Sequence, residues 1–196
     1  GIHNREIRTL FTIDQTLLPL VDKNVYETLV QKHGNSVEQG FGEKELRELL
    51  PRFNAFVQAI SKNMVPVRTD GSGVAHYDSQ KDAVYIPRQK DFEHYTDYAQ
   101  ETLRQIIAAT GHQQRLAREG MVMKNGVPPT EDAVKQEHLI SEIASGIKML
   151  EMGLPARLSD ENIEMVDYWS RELKENPCLI DAIESDVNNA LKVIRK

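Results

Sequence analysis

Cysteine is almost missing from this chain. Cys178 is the only one in 196 residues, which excludes an intrachain disulfide and any zinc site built on several thiolates. At the start of a helix a thiol can be acidified, but no His stands near Cys178 in sequence, and it is read as a packed or incidental thiol. No apolar run approaches the roughly 20 residues needed to span a bilayer, and no charged-then-apolar leader opens the chain. No membrane partner and a cytoplasmic location are therefore expected. A surplus of positive charge is missing too: 24 Lys and Arg against 30 Asp and Glu leave a formal net charge of −6. Free-standing DNA-binding domains carry the opposite balance, because phosphate neutralisation supplies most of their affinity. Nucleic acid is thus not expected as a direct partner of this segment. Arg104, Arg115, Arg118 and Lys124 could form a local basic patch, but solvated charges on helix and loop surfaces are the expectation for them. No Gly-rich phosphate loop follows a strand, since Gly71-Ser72-Gly73 reads as a turn. Internal repeats and low-complexity tracts are also absent.

What is present is ordinary for a folded domain: 40% apolar and 28% charged residues, which excludes global disorder. The length suits one sizeable domain, or one domain with a smaller appendage. The first residue is Gly rather than Met, as expected of a segment cut from a longer protein. Thr9–Thr16 is short and β-rich, a helix is expected over 24–32, and 34–43 reads as a polar loop. From Glu43 to Lys62, Leu46, Leu49, Leu50, Phe53, Phe56, Val57 and Ile60 recur at three and four, the period of an amphipathic helix. Pro51 is expected to kink or split it. Val65–Arg68 leads to a turn, and Val74–Tyr77 and Ala83–Pro87 flank a polar loop as an antiparallel hairpin. Helices are expected over 92–111, 131–152, 160–175 (capped by Ser159) and 177 to the end. In the first of these, Tyr95, Tyr98, Ala99, Thr102, Leu103, Ile106 and Ile107 face the core, and Gly111 is the stop. Trp169 and the tyrosines sit at core or helix-seam spacing rather than as base-stacking platforms. The class is α+β.

Several short motifs recur in a definite order. They are Leu10–Thr16, Ala75-His76-Tyr77-Asp78, Ala83–Pro87, Thr110-Gly111-His112 with Arg115-Leu116, Glu137–Ala144, and Tyr168-Trp169 with Leu173-Lys174. In that order and spacing they resemble the zincin-type metallopeptidase domain of plasmid antirestriction proteins, related to conjugative primase accessory proteins of mobile elements. The resemblance covers most of the chain. It implies a zincin-like fold, with a small antiparallel sheet or hairpin packed against an active-site-type helix and three further C-terminal helices. Residues 1–63 would be a connector with a helical segment and 64–196 the zincin-like domain. The family's single-stranded-DNA-binding module lies outside the matched residues.

Such an enzyme needs His-Glu-x-x-His on a helix, two metal ligands one turn apart with a Glu as general base. Anchored on Thr110-Gly111-His112, the resemblance sets that motif on Arg104-Gln105-Ile106-Ile107-Ala108; a one-residue slip would use Gln105, Ile106 and Ala109. Neither register restores a ligand, because Arg and Ala cannot bind zinc and Gln cannot take a proton from water. The third ligand would fall at Glu142 or at the His138 position. Arg104 beside Glu142 would form a charge-assisted pair in place of a metal link; an exposed Arg104 is the other reading. His112, His138 and Glu142 could compose a relocated zinc site, set against a surface His–Glu pair on one helix side. His76 reads as a partly exposed strand residue and His94 as a solvent-facing residue of a first turn. Two functions follow from these residues. The first is a catalytically degenerate binding or antirestriction module without cofactor, whose protein partner belongs to restriction, defence or conjugation machinery. The second is a zinc hydrolase using the unorthodox ligand set.

Overall fold

The computed structural model describes residues 43–71, 73–156 and 160–195. The expected β-rich segment at Thr9–Thr16, the helix over 24–32, the loop over 34–43 up to its last residue, Ser72 of the turn and the cap at Ser159 lie outside the described residues. Proximity along the backbone divides the chain into two units, Gly1–Leu46 and Arg47–Lys196. The second holds every element below from Arg47 onward.

Among the described residues, five helices and three short strands follow in the order α1 (Glu43–Asn63), β1 (Val67–Thr69), β2 (His76–Asp78), β3 (Ala83–Ile86), α2 (Tyr95–Thr110), α3 (Glu131–Glu151), α4 (Asp160–Glu175) and α5 (Cys178–Ile194), with a 3-10 turn at Gln89–Asp91 before α2. The α+β class is present, and so are the expected helices that fall on described residues, with boundaries shifted by a few residues at most. α1 runs through Pro51 without a break; the lost amide hydrogen bond and ring clash are absorbed within one continuous helix. No helix among the described residues is long and apolar enough to cross a membrane.

The sheet differs from expectation in one respect. β2 and β3 form the anticipated antiparallel hairpin, with Tyr77 opposite Val84. β1, however, pairs in parallel with β3, Val67 opposite Val84, so the order is β1-β3-β2 and the sheet is mixed. β3 is central, and three of its four residues are buried, as a strand with neighbours on both edges should be.

α2 lies under the sheet and against α3 and α5. Its apolar residues at three-and-four spacing bury completely: Leu103, Ile106 and Ile107 are 0% exposed. Each such side chain contributes roughly 1.5–3 kcal/mol of transfer free energy. Ile106 and Ile107 join Val84 and Ile86 of the sheet, Leu139, Ile140 and Ala144 of α3, Trp169 of α4, and Ile183, Val187 and Leu191 of α5 in one core. Trp169 is a core residue as its spacing implied, its indole N–H donating to the Lys135 carbonyl at 3.1 Å. Phe53 of α1 meets Tyr95 and Tyr98 edge-on, ring centroids 6.0 and 6.2 Å apart, a favoured aromatic geometry. α3 starts at Thr130, whose hydroxyl accepts from the Ala133 amide. It ends at Gly153, whose φ of +78° is cheap only for glycine.

Candidate functional site

The helix singled out by sequence, α2, lies beside α3 and presents Arg104 toward it. Arg104 Nε donates to Glu142 Oε2 at 2.7 Å and its second terminal nitrogen to Oε1 at 3.0 Å, a two-point fork across the helix seam. Its remaining terminal nitrogen donates to Glu101 Oε2 at 2.8 Å, one turn back on α2. Glu101 also accepts from Gln105 Nε2 at 2.7 Å. The side chains of Arg104 and Glu142 are only 12% and 7% exposed, so the pair is well shielded from solvent. Burial alone would lower the pKa of Arg104; the Glu142 hydrogen bond and charge, helped by Glu101, more than reverse that and hold it above the usual range.

The residue chemistry at these positions does not fit a bound zinc ion. Arg104 offers only donors, Ala108 has no ligating atom, Gln105 is engaged with Glu101, and both Glu142 oxygens accept from a guanidinium. Nor do the described residues contain any group of three or more His, Cys, Asp and Glu side chains placed to hold a metal. Arg104, Gln105, Ala108 and His138 line one recess of about 160 Å³ between α2 and α3. His112 lines a different and wider one of about 470 Å³, beside the β2–β3 loop and residues 121–123. The imidazoles of His112 and His138 therefore open into separate spaces. His76 is exposed and stacks on Tyr85 at 5.0 Å, and His94 precedes α2 with its side chain in solvent.

The expectation of solvated basic side chains fails for three of the four named. Arg118 is 5% exposed. It reaches back from the loop after α2 and donates through Nε to Glu137 Oε2 at 2.8 Å, through a second nitrogen to Glu137 Oε1, and to Thr110 Oγ1 and the Ile107 carbonyl at 2.7 and 2.9 Å. Arg115 donates to the Ala109 carbonyl at 2.7 Å and to both oxygens of Asp82, which also accepts from Tyr77 Oη at 2.6 Å. The physical reason is the end of α2: its last carbonyls have no amide partner within the helix, and the two guanidiniums satisfy carbonyls there while bringing their own carboxylates from α3 and the hairpin. Chiefly through the Arg115 hydrogen bond, Asp82 is held below the usual carboxylate range, despite the opposing effect of burial. Burial first and the neighbouring Asp82 second raise the Tyr77 hydroxyl well above its ordinary value. Of the four, only Lys124 stays in water, paired with Glu119 across an exposed 3.1 Å contact.

Two glycines make this closing turn possible. A Cβ on Gly111 would stand 2.9 Å from Arg118 and 2.7 Å from Met121. On Gly120 it would meet the Ala133 carbonyl oxygen at 2.4 Å. Gly111 itself has ordinary helical angles, φ −77°; it stops the helix by leaving room for Arg118, not by turning left-handed. Ala117, at φ +48°, supplies the left-handed residue that sends Arg118 back. Sequence reasoning named Arg104 and Glu142 but missed Glu101, Glu137 and Asp82. Glu101 was detectable, since it lies three residues from Arg104 and four from Gln105 on one helix face.

The family model of zincin-like metallopeptidases matches residues 51–184. Among solved structures, the chain is similar to the antirestriction protein ArdC of plasmid R388. The Mn(II)-bound form aligns with a TM-score of 0.64 and 23% identity over 74% of this chain and 51% of that one. The metal-free form aligns with a TM-score of 0.62 and 24% identity over 74% of this chain and 49% of that one. The aligned part thus spans about half of the ArdC chain. No curated protein matches. With the family match running through the hairpin, α2, α3, α4 and the first turns of α5, this chain belongs to the zincin-like metallopeptidase family.

Proposed function

We propose that this chain is a non-catalytic, zincin-like module of a mobile-element protein, working by binding a protein partner rather than by cutting one. The observation that carries the reading is the fork between Arg104 and Glu142. A guanidinium already grips Glu142, one of the two positions, with His138, at which the resemblance would set a third metal ligand, and no side chain at 104, 105 or 108 can ligate zinc through a deprotonated donor or take a proton from bound water. The helix pair is held by charge-assisted hydrogen bonds instead. The likeness of fold to a plasmid antirestriction protein supports an accessory role in antirestriction or conjugation, with restriction, defence or conjugation machinery supplying the partner. Metal analysis of protein purified without added metal tests the reading, together with a peptidase assay in the presence of zinc or manganese. Folded protein free of metal and inert toward peptides is expected. Stoichiometric zinc bound through His112, His138 or Glu142, with peptide cleavage, would overturn it.

A further inference from the structure

The wider recess, between the β2–β3 loop and the loop after α2, is the size of a binding site. Its volume of about 470 Å³ falls within the roughly 300–1,000 Å³ of ligand pockets. His112 lines it and is only 8% exposed. The Gln114 backbone N–H donates to its Nδ1 across 3.3 Å, so that nitrogen accepts and the ring hydrogen sits on Nε2. Among the described residues no group bonds Nε2. Nor is it sealed off, since the Tyr95 hydroxyl is the one buried side-chain polar atom there without a partner. A largely buried imidazole thus opens one N–H donor into the recess.

The rest of the lining sets the chemistry of what fits. Both oxygens of Asp82 are taken by Arg115, one of them by Tyr77 as well. Lys81 is held by Asp78 at 3.0 Å. An ionic ligand would therefore compete with pairs the protein has already made. Gln80, Gln113 and Gln114 add uncharged amides, which both donate and accept, as a peptide bond does. Met121, Val122 and Met123 form the apolar side. Met123 is 65% exposed, yet it is displayed on a fixed arm. Just beyond it, Lys124 and Val127 exchange 3.0 Å backbone hydrogen bonds around Asn125 and Gly126. Those two residues are left-handed, at φ +54° and +78°, as a two-residue hairpin turn requires. Methionine adapts its shape to aliphatic and aromatic groups alike.

We propose that this recess receives an extended, uncharged peptide segment of a protein partner. One backbone carbonyl of that segment accepts from His112 Nε2–H, and one of its apolar side chains lies on Met121 and Met123. The neighbouring glutamine amides serve the peptide groups on either side. A phosphate backbone fits less well, since Lys81 in the wall is already held by Asp78. The proposal rests on the non-catalytic, protein-binding reading above, and names the chemistry of the partner and the place where it sits.

The test is an NMR titration of the 196-residue chain with N-acetyl-Ala-Leu-Ala N-methylamide and its Ala-Glu-Ala and Ala-Lys-Ala counterparts. Saturable binding of the leucine compound is expected, moving the His112 ring signals and the Met121 and Met123 methyl signals. Both charged compounds should bind about tenfold more weakly, the worth of one buried aliphatic side chain. Met123→Ser, a change at an exposed position, should weaken the leucine compound by a few-fold. His112→Asn keeps an acceptor for the Gln114 amide but removes the Nε2 donor, and should also cost a few-fold, roughly one neutral hydrogen bond. Circular dichroism checks both folds; if His112→Asn unfolds, Met123→Ser decides. Equal binding of the three compounds, tighter binding of inorganic phosphate, or signal changes that miss the recess would each overturn the proposal. So would indifference to Met123→Ser or to a folded His112→Asn, or the absence of saturable binding. Metal content and peptide cleavage in the same sample separate the two claims. Metal-loaded protein that binds and cleaves the leucine compound overturns the non-catalytic reading alone, and metal-free, inert protein that ignores it overturns the recess assignment alone.

Discussion

Replacing Arg104 with Ala removes three charge-assisted hydrogen bonds at once, two to Glu142 and one to Glu101. Glu142 is 7% exposed, so water cannot replace the lost counter-charge. Removing one partner of a buried pair costs about 3–5 kcal/mol, chiefly as the penalty on the charge left behind. Because Arg104 retains some solvent contact, 12% of its side chain, the lower end applies, about 3 kcal/mol. For a domain of this size that corresponds to a fall in Tm on the order of 6–12 °C. Substituting both partners by apolar residues of similar volume, R104M with E142L, should recover most of the loss, since a buried ion pair and a packed hydrophobic pair are often close in stability. Urea unfolding of wild type, both single variants and the double variant gives the coupling energy directly. A coupling of about 2–3 kcal/mol is expected. Should R104A lie within about 0.5 kcal/mol of wild type, as an ordinary surface substitution does, the pair holds nothing together and the reasoning fails.

Three further outcomes follow from the same geometry. Arg118→Ala should be at least as damaging, about 3–5 kcal/mol by urea unfolding, because both it and Glu137 are almost fully buried and it also serves the Ile107 carbonyl; Arg118→Lys should not rescue it, an ammonium being unable to reproduce the fork. Gly120→Ala should cost about 1–3 kcal/mol and exceed Gly111→Ala in a thermal melt, since its Cβ meets backbone at 2.4 Å whereas that of Gly111 meets movable side chains. Asp82, lowered by Arg115, contributes stability that is present above its unfolded pKa of about 3.9 and lost as pH falls through its lower folded value. Asp82→Asn should therefore flatten the acid limb of the stability profile below about pH 4, with little change in its slope near neutrality.

The parts of the fold legible in the sequence were those with a local period. α2 showed itself because Ala99, Leu103, Ile106 and Ile107 repeat at helical spacing, and all four are buried. The β2–β3 hairpin was legible because its two runs adjoin a short polar loop. The parallel pairing of β1 was not, since Val67 and Val84 are far apart in sequence and a three-residue strand carries no period of its own. The pairing of Arg104 with Glu142 was reachable because a resemblance placed both on facing helices. Arg118 with Glu137, and Arg115 with Asp82, were not: their partners lie 19 and 33 residues away, and an Arg in a polar loop is read as solvated unless its carboxylate is known. Gln100, polar and 3% exposed, escaped for the same reason, its neighbour Glu142 being on another helix.

The central claim is that side chains at 104, 105 and 108, rather than the scaffold, keep zinc out. Zinc titration by calorimetry, run on the wild type beside the triple variant R104H/Q105E/A108H, addresses it most directly. The account predicts no stoichiometric binding by the wild type and about one zinc per chain for the variant, whose two new His can join Glu142 as the usual three protein ligands. One zinc per chain in the wild type, bound with comparable affinity, would contradict it.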